Sequence, residues 1–175
     1  MKLKNEALSK NFLIYGLGKS GISSLKYLKK KNRCFIFDDD KKKIKNTYKK
    51  FFISKSKLLI NKFDYIVISP GININRCQLS NYLKKNQKKV ITDFDIFYKF
   101  NPEVLTITIT GTNGKSTTSK LLYDILKNHH YDTRLAGNIG NPILEEKKLT
   151  EIPSLLLRLL LISWLIVNIS NQNFL

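Results

Sequence analysis

Cysteine is scarce: the 175 residues hold two, Cys34 and Cys77. That excludes a disulfide-rich secreted scaffold and a four-cysteine zinc site. The start, MKLKNEALSK, lacks a long apolar run before Gly16, so no signal peptide is expected and a cytoplasmic location is. Acidic residues are few, 13 against 31 basic ones, which leaves a formal net charge of +18. Such an excess invites a nucleic-acid reading. Arginine and alanine are also scarce, however, at 4 and 2 residues, so the excess is almost all lysine, at 27. Lysine, asparagine, isoleucine, phenylalanine and tyrosine have A+T-rich codons, whereas alanine, arginine, glycine and proline have G+C-rich ones. Drift toward A+T raises lysine without any nucleic-acid partner, and none is expected.

What is present is a core. Hydrophobic residues make up 42% of the chain, which excludes wholesale disorder. Residues 1–150 read as alternating strands and helices. Strands are expected at Phe12–Tyr15, Cys34–Phe37, Tyr65–Ile68, Val90–Ile91 and Val104–Thr110, where apolar and β-branched residues run together. Helices are expected at Ser20–Lys31, Arg76–Lys85, Asp93–Tyr98 and Lys115–Asn128, with Lys41–Asn61 less regular. This order predicts an α/β fold with parallel sheets and right-handed crossovers. Asn101-Pro102 reads as a linker, giving a Rossmann-like domain over 1–100 and the start of a P-loop α/β domain over 101–150.

Four motifs carry chemistry. Gly16-Leu17-Gly18-Lys19-Ser20-Gly21 sits between a strand and a helix. Its glycines permit a tight turn, and the helix N-terminus favours a diphosphate. Asp38, 17 residues past Gly21, ends the next strand, where an acid meets a ribose or base edge. The bland alternative is a structural turn, and the pattern alone does not separate NAD from another nucleotide. The second motif, Thr110-Gly111-Thr112-Asn113-Gly114-Lys115-Ser116-Thr117, follows the strongest strand and precedes the strongest helix. It reads as a phosphate loop in which backbone N–H groups cradle phosphates, Lys115 neutralises them and Ser116 reaches Mg²⁺. It departs from GxxxxGK[ST] because Ile109 stands five residues before Gly114. Ser69-Pro70-Gly71-Ile72 and Gly137-Asn138-Ile139-Gly140-Asn141-Pro142 are weak alone, each a turn by default.

Taken in this order, with the Thr92–Phe97 stretch TDFDIF, the motifs resemble the Mur ligases over roughly residues 10–145. The resemblance implies that Gly16, Leu17, Gly18, Lys19, Ser20, Asp38, Ser69, Pro70, Gly71 and Asn138 bind the UDP-muramoyl substrate. It implies that Gly111, Thr112, Asn113, Gly114, Lys115, Ser116 and Thr117 bind ATP, with Lys115 catalytic and Ser116 on Mg²⁺. The L-alanine-adding relatives have His where this loop has Asn113, which favours addition of D-glutamate to UDP-N-acetylmuramoyl-L-alanine through an acyl phosphate. Some relatives place Arg just after the strand-two acid to pack on uracil; here Asp39 and Asp40 follow Asp38. A monomer is expected. The rival readings are a nucleotide-binding module without catalysis, another Mur-type amide ligase, and an NAD(P)-dependent enzyme, against which the phosphate loop argues.

Composition breaks near residue 150: residues 151–175 hold one acid, Glu151, and one base, Arg158. The family continues after this point with an acidic Mg²⁺-binding motif, Glu-x-Ser-Ser-Phe/Tyr-Gln-Leu, absent here. If Arg158–Trp164 is encoded AGG-CTT-CTT-CTT-ATC-AGT-TGG after a codon ending in G, reading one nucleotide earlier gives Glu-Ala-Ser-Ser-Tyr-Gln-Leu. The tail over 151–175 is therefore expected to be frameshifted, the chain inactive as a ligase, and the strand at Val104–Thr110 without sheet neighbours. A membrane span is not expected, because the apolar stretch Leu155–Val167 has 13 residues against the ~20 needed.

Overall fold

The computed structural model describes residues 9–100, 105–131, 133–137, 142–145 and 155–159. The first sheet holds β1 (Asn11–Tyr15), β2 (Arg33–Phe37), β3 (Tyr65–Ile68) and β4 (Val90–Ile91), all parallel, in the order β2-β1-β3-β4. β1 therefore has β2 on one side and β3 on the other. Chain connections leave β1 and β2 in opposite lateral directions, so a crevice opens at the carboxyl ends of β1 and β3.

Strand alternation assigns the two faces. Phe12 and Ile14 of β1 face α1 (Lys19–Leu28), packing with Leu25, Leu28, Ile36 and Val67. Leu13 and Tyr15 face the other side with Phe37, Ile66 and Ile68, beneath Leu58 of α2 (Lys55–Ile60) and Leu79 and Leu83 at α3 (Ser80–Lys85). Seven of these side chains, Leu13, Ile14, Tyr15, Leu25, Ile36, Leu58 and Ile66, have no exposed surface. Burying each aliphatic one contributes ~1.5–3 kcal/mol. The lysine-rich connection forms two 3₁₀ turns, Lys41–Lys43 and Asn46–Phe51, and its Ile53 N–H donates to Ile36 O, covering the edge of β2.

α4 (Asp93–Phe100) starts on a reciprocal cap. Thr92 N–H and its hydroxyl both donate to Asp95 Oδ2 at 2.6 and 2.7 Å, and Asp95 N–H donates back to Thr92 Oγ1 at 3.3 Å. Its Phe94 and Phe97 pack with Ala136 and Ile143, and Leu144 packs onto the α1 face. The 3₁₀ turn Ile143–Glu145 thus ties the later chain to the first sheet.

A second parallel sheet holds β5 (Leu105–Ile109), β6 (Thr133–Gly137) and β7 (Leu155–Leu159) in the order β5-β7-β6. α5 (Lys115–Asn128) follows β5. Here the structure corrects an expectation: β5 does not lack neighbours, because Leu105–Ile109 pairs along its whole length with Leu155–Leu159. β7, which is leucine apart from Arg158, lies between two strands.

Candidate functional site

The carboxyl ends of β1, β2 and β3 are knitted together around the glycine turn. Gly16 N–H donates to Phe37 O at 2.9 Å, and Ser69 N–H donates to Tyr15 O at 2.9 Å. Ser69 Oγ donates to Gly16 O at 2.7 Å. Gly16 has φ +94°, and a Cβ there would lie 2.8 Å from Ser69 Cβ. At Gly21 a Cβ would lie 1.8 Å from Gly16 O, so α1 can pack this tightly on the turn only without a side chain. Gly18 differs. A Cβ there would meet nothing within 4 Å. It caps α1 with extended backbone and, like Lys19, is exposed. Packing requires Gly16 and Gly21; open space lies above Gly18, next to the unpaired N–H groups that begin a ten-residue helix.

Two of the residues expected at the ligand also hold the turn together. Asp38 is buried, 4% exposed. Its Oδ2 accepts Leu17 N–H at 2.6 Å and its Oδ1 accepts Asp40 N–H at 2.9 Å, with Lys43 Nζ 3.9 Å away. This carboxylate shapes the turn from beneath. Leu17 is spent in the same way, its side chain in the core and its N–H on Asp38. Ser20, partly buried, accepts Ser24 Oγ on its carbonyl. Pro70 and Gly71 are exposed beyond Ser69. Asn138 lies outside the described residues.

The sequence does not pair Tyr15 with Asp39. Tyr15 Oη, fully buried, donates to Asp39 Oδ1 at 2.6 Å, and Gln78 N–H donates to Asp39 Oδ2 at 3.3 Å. Burial first, then the Asp39 carboxylate, push the Tyr15 phenol well above its ordinary value, so it remains a neutral donor. The only signal for this in the sequence is a strand-terminal tyrosine and a run of three acids. Burial alone pushes the Cys34 thiol up to about 11.

The second loop runs from β5 into α5. Gly111 has φ +148° and Gly114 φ +73°, conformations that favour glycine, and Gly114 caps α5. Thr112, Asn113, Ser116 and Thr117 are exposed. Lys115 Nζ folds back to donate to Gly111 O and, at 3.0 Å, to Thr112 O. Loop carbonyls thus hold the ammonium over the loop. A shallow groove of about 470 Å³ lies alongside, lined by Ser116, Thr117, Lys120, Leu121 and Asp124. Among the described residues, no group of three or more His, Cys, Asp or Glu is placed to hold a metal ion, and no helix is long and apolar enough to cross a membrane.

Residues 10–92 match the family model of the Mur ligase MurD-like N-terminal domain. The chain is 32% identical over 146 residues to the UDP-N-acetylmuramoylalanine–D-glutamate ligase of Clostridioides difficile, covering 78% of this chain and 32% of that protein. It is 33% identical over 141 residues to the same-named enzyme of Rickettsia bellii, covering 78% and 31%. This chain spans about a third of the length of these curated relatives. The crystal structure of UDP-N-acetylmuramate:L-alanyl-γ-D-glutamyl-meso-diaminopimelate ligase from Neisseria meningitides aligns at 14% identity with a TM-score of 0.48, over 86% of this chain and 52% of that one.

Proposed function

Because the chain belongs to the Mur ligase family, with residues 10–92 as its MurD-like N-terminal domain, we propose that its first sheet binds UDP-N-acetylmuramoyl-L-alanine and that its second begins the ATP site of a D-glutamate-adding ligase. One observation carries the reading: Gly16 and Gly21 are dictated by packing, whereas Gly18 leaves the N-terminus of α1 open at the crevice between β1 and β3. A diphosphate fits there, its charge met by N–H groups and the helix dipole. Lys19 adds an exposed cation at the same end, and Pro70 and Gly71 border the far side of the turn.

The residues of the 111–117 loop also fit phosphates. Its glycines free the backbone, α5 presents its N-terminus, and Lys115 exchanges loop carbonyls for phosphate oxygens. ATP would supply a phosphoryl group that activates the substrate carboxylate for attack by the D-glutamate amine. Lys115 acts there by charge and position, not by covalent chemistry. Ser116 offers one oxygen toward Mg²⁺. The frameshift reading of the tail stays part of the proposal: β7, Leu155–Leu159, includes codon 157, and the gene sequence around it decides between a shifted and an intact frame.

A thermal-shift comparison tests the first-sheet assignment, because a ligand that binds only the native state raises apparent stability, by ~2.7 kcal/mol at a hundred times its Kd. UDP and UDP-N-acetylmuramoyl-L-alanine are expected to raise Tm and NAD is not. A shift with NAD and none with either uridine nucleotide would reverse the reading.

A further inference from the structure

Asp39 stands where β2 leaves the sheet, and Gln78 stands beyond the Ser69-Pro70-Gly71 turn that ends β3. The two segments lie on opposite sides of β1, and they are joined over its end. Tyr15, the last residue of β1, sends its hydroxyl to Asp39 Oδ1 at 2.6 Å. Gln78 sends its N–H to Oδ2 at 3.3 Å and its Nε2 to the Asp39 carbonyl at 3.5 Å. The tyrosine is held in turn, with no exposed surface and its ring 5.5 Å from that of Phe37 in an edge contact. The Asp39 carboxylate therefore has a donor on each oxygen. Asp40, the next residue, is exposed and its Oδ1 accepts Lys42 N–H.

We propose that Asp39 is a positioning residue: pinned by Tyr15 and Gln78, it sets the spacing between the acid segment after β2 and the segment after β3, and so fixes the nucleoside end of the crevice. The proposal rests on the reading that the diphosphate lies at the N-terminus of α1. A nucleotide placed there extends its ribose and base toward the end of β2, the usual course along such a sheet. The role proposed for Asp39 is through the backbone it holds, with Tyr15 on one oxygen and Gln78 on the other. The contacts fall into two adjoining sets around the crevice. Asp38, Ser69 and Gly16 shape the diphosphate end, and Tyr15, Asp39 and Gln78 shape the nucleoside end.

Calorimetry on the full chain tests it with two probes, UDP and inorganic pyrophosphate. Tyr15→Phe removes the hydroxyl donor, and Asp39→Ala removes both acceptors. Each is expected to weaken UDP by about tenfold, since UDP must then order the loosened nucleoside end on binding. Pyrophosphate affinity is expected to fall clearly less than UDP affinity, since the Asp38, Ser69 and Gly16 contacts that shape its end are kept. Asp39→Asn keeps an acceptor for Tyr15 and is expected to recover part of the UDP affinity. Unchanged UDP affinity in Tyr15→Phe and Asp39→Ala would overturn the proposal. So would equal losses for both probes accompanied by a fall in Tm, which mark a merely structural role. If the unsubstituted chain binds pyrophosphate but not UDP, or binds neither, the underlying nucleotide reading fails and the positioning role falls with it.

Discussion

Gly21→Ala separates packing from ligand binding in the glycine turn. The new Cβ would sit 1.8 Å from Gly16 O and 2.9 Å from Ser69 Oγ. The first of these is backbone, held by Ser69 Oγ at 2.7 Å, so no rotamer change relieves the overlap. Either α1 lifts from the sheet or the turn moves. Overpacking of this kind costs ~3 kcal/mol or more when the backbone must shift. Alanine in the first turn of a helix returns at most ~1 kcal/mol relative to glycine. The expected net loss is ~2 kcal/mol or more, read by urea denaturation as a lower midpoint with unchanged slope. Gly18→Ala is the control: its Cβ meets nothing and its φ is −70°, so stability should hold within ~0.5 kcal/mol. UDP affinity should nevertheless fall, because the methyl occupies the space above the helix end. Equal stability of Gly21→Ala and the unsubstituted chain would refute the packing argument. Unchanged UDP binding in Gly18→Ala would refute the assignment of that space.

Lys115→Ala should reduce ATP affinity by ~1.5–3 kcal/mol in calorimetry, because the loop loses the cation that Gly111 and Thr112 hold over it. Asp38→Ala should leave the N–H groups of Leu17 and Asp40 without their acceptor, costing ~1–3 kcal/mol in denaturant unfolding even without ligand. Cys34, 6% exposed, should resist iodoacetamide in the folded chain near neutral pH and react on unfolding. Its thiol rises from about 9 to about 11 on folding, so its contribution to stability is complete below pH ~9 and is lost as pH rises toward ~11, a trend that denaturation at stepped pH reads. Removing residues 151–175 takes β7 from between β5 and β6, and hydrogen exchange should show both strands losing protection while β1–β4 keep theirs.

The parts of the fold that showed in the sequence are those whose local signal agrees with their tertiary setting. Phe12–Tyr15, Cys34–Phe37 and Tyr65–Ile68 are apolar runs stopped by glycine, aspartate and Ser-Pro, and all three became strands buried on both faces. α5 was legible to the residue, because Gly114 starts it and Leu122 and Leu126 recur at the i, i+4 spacing of a helix. α3 begins at Ser80 and not at Arg76, since Arg76 and Ser80 N–H groups close turns onto Asn73 and Cys77 first. β6, Thr133–Gly137, has no apolar run to betray it and exists through pairing with β7, a long-range effect. The glycine turn was located, but not the division of labour within it. Sequence order places Asp38 beside a ligand; only geometry reveals that its oxygens serve Leu17 and Asp40.

Backbone amide shifts during a UDP titration put the central claim to its most direct test. If the N-terminus of α1 is the diphosphate site, the largest perturbations fall on Gly18, Lys19 and Ser20 and saturate with a single ligand per chain. Perturbations confined to residues 111–117, with the amides of Gly18–Ser20 unmoved at saturating UDP, would contradict it.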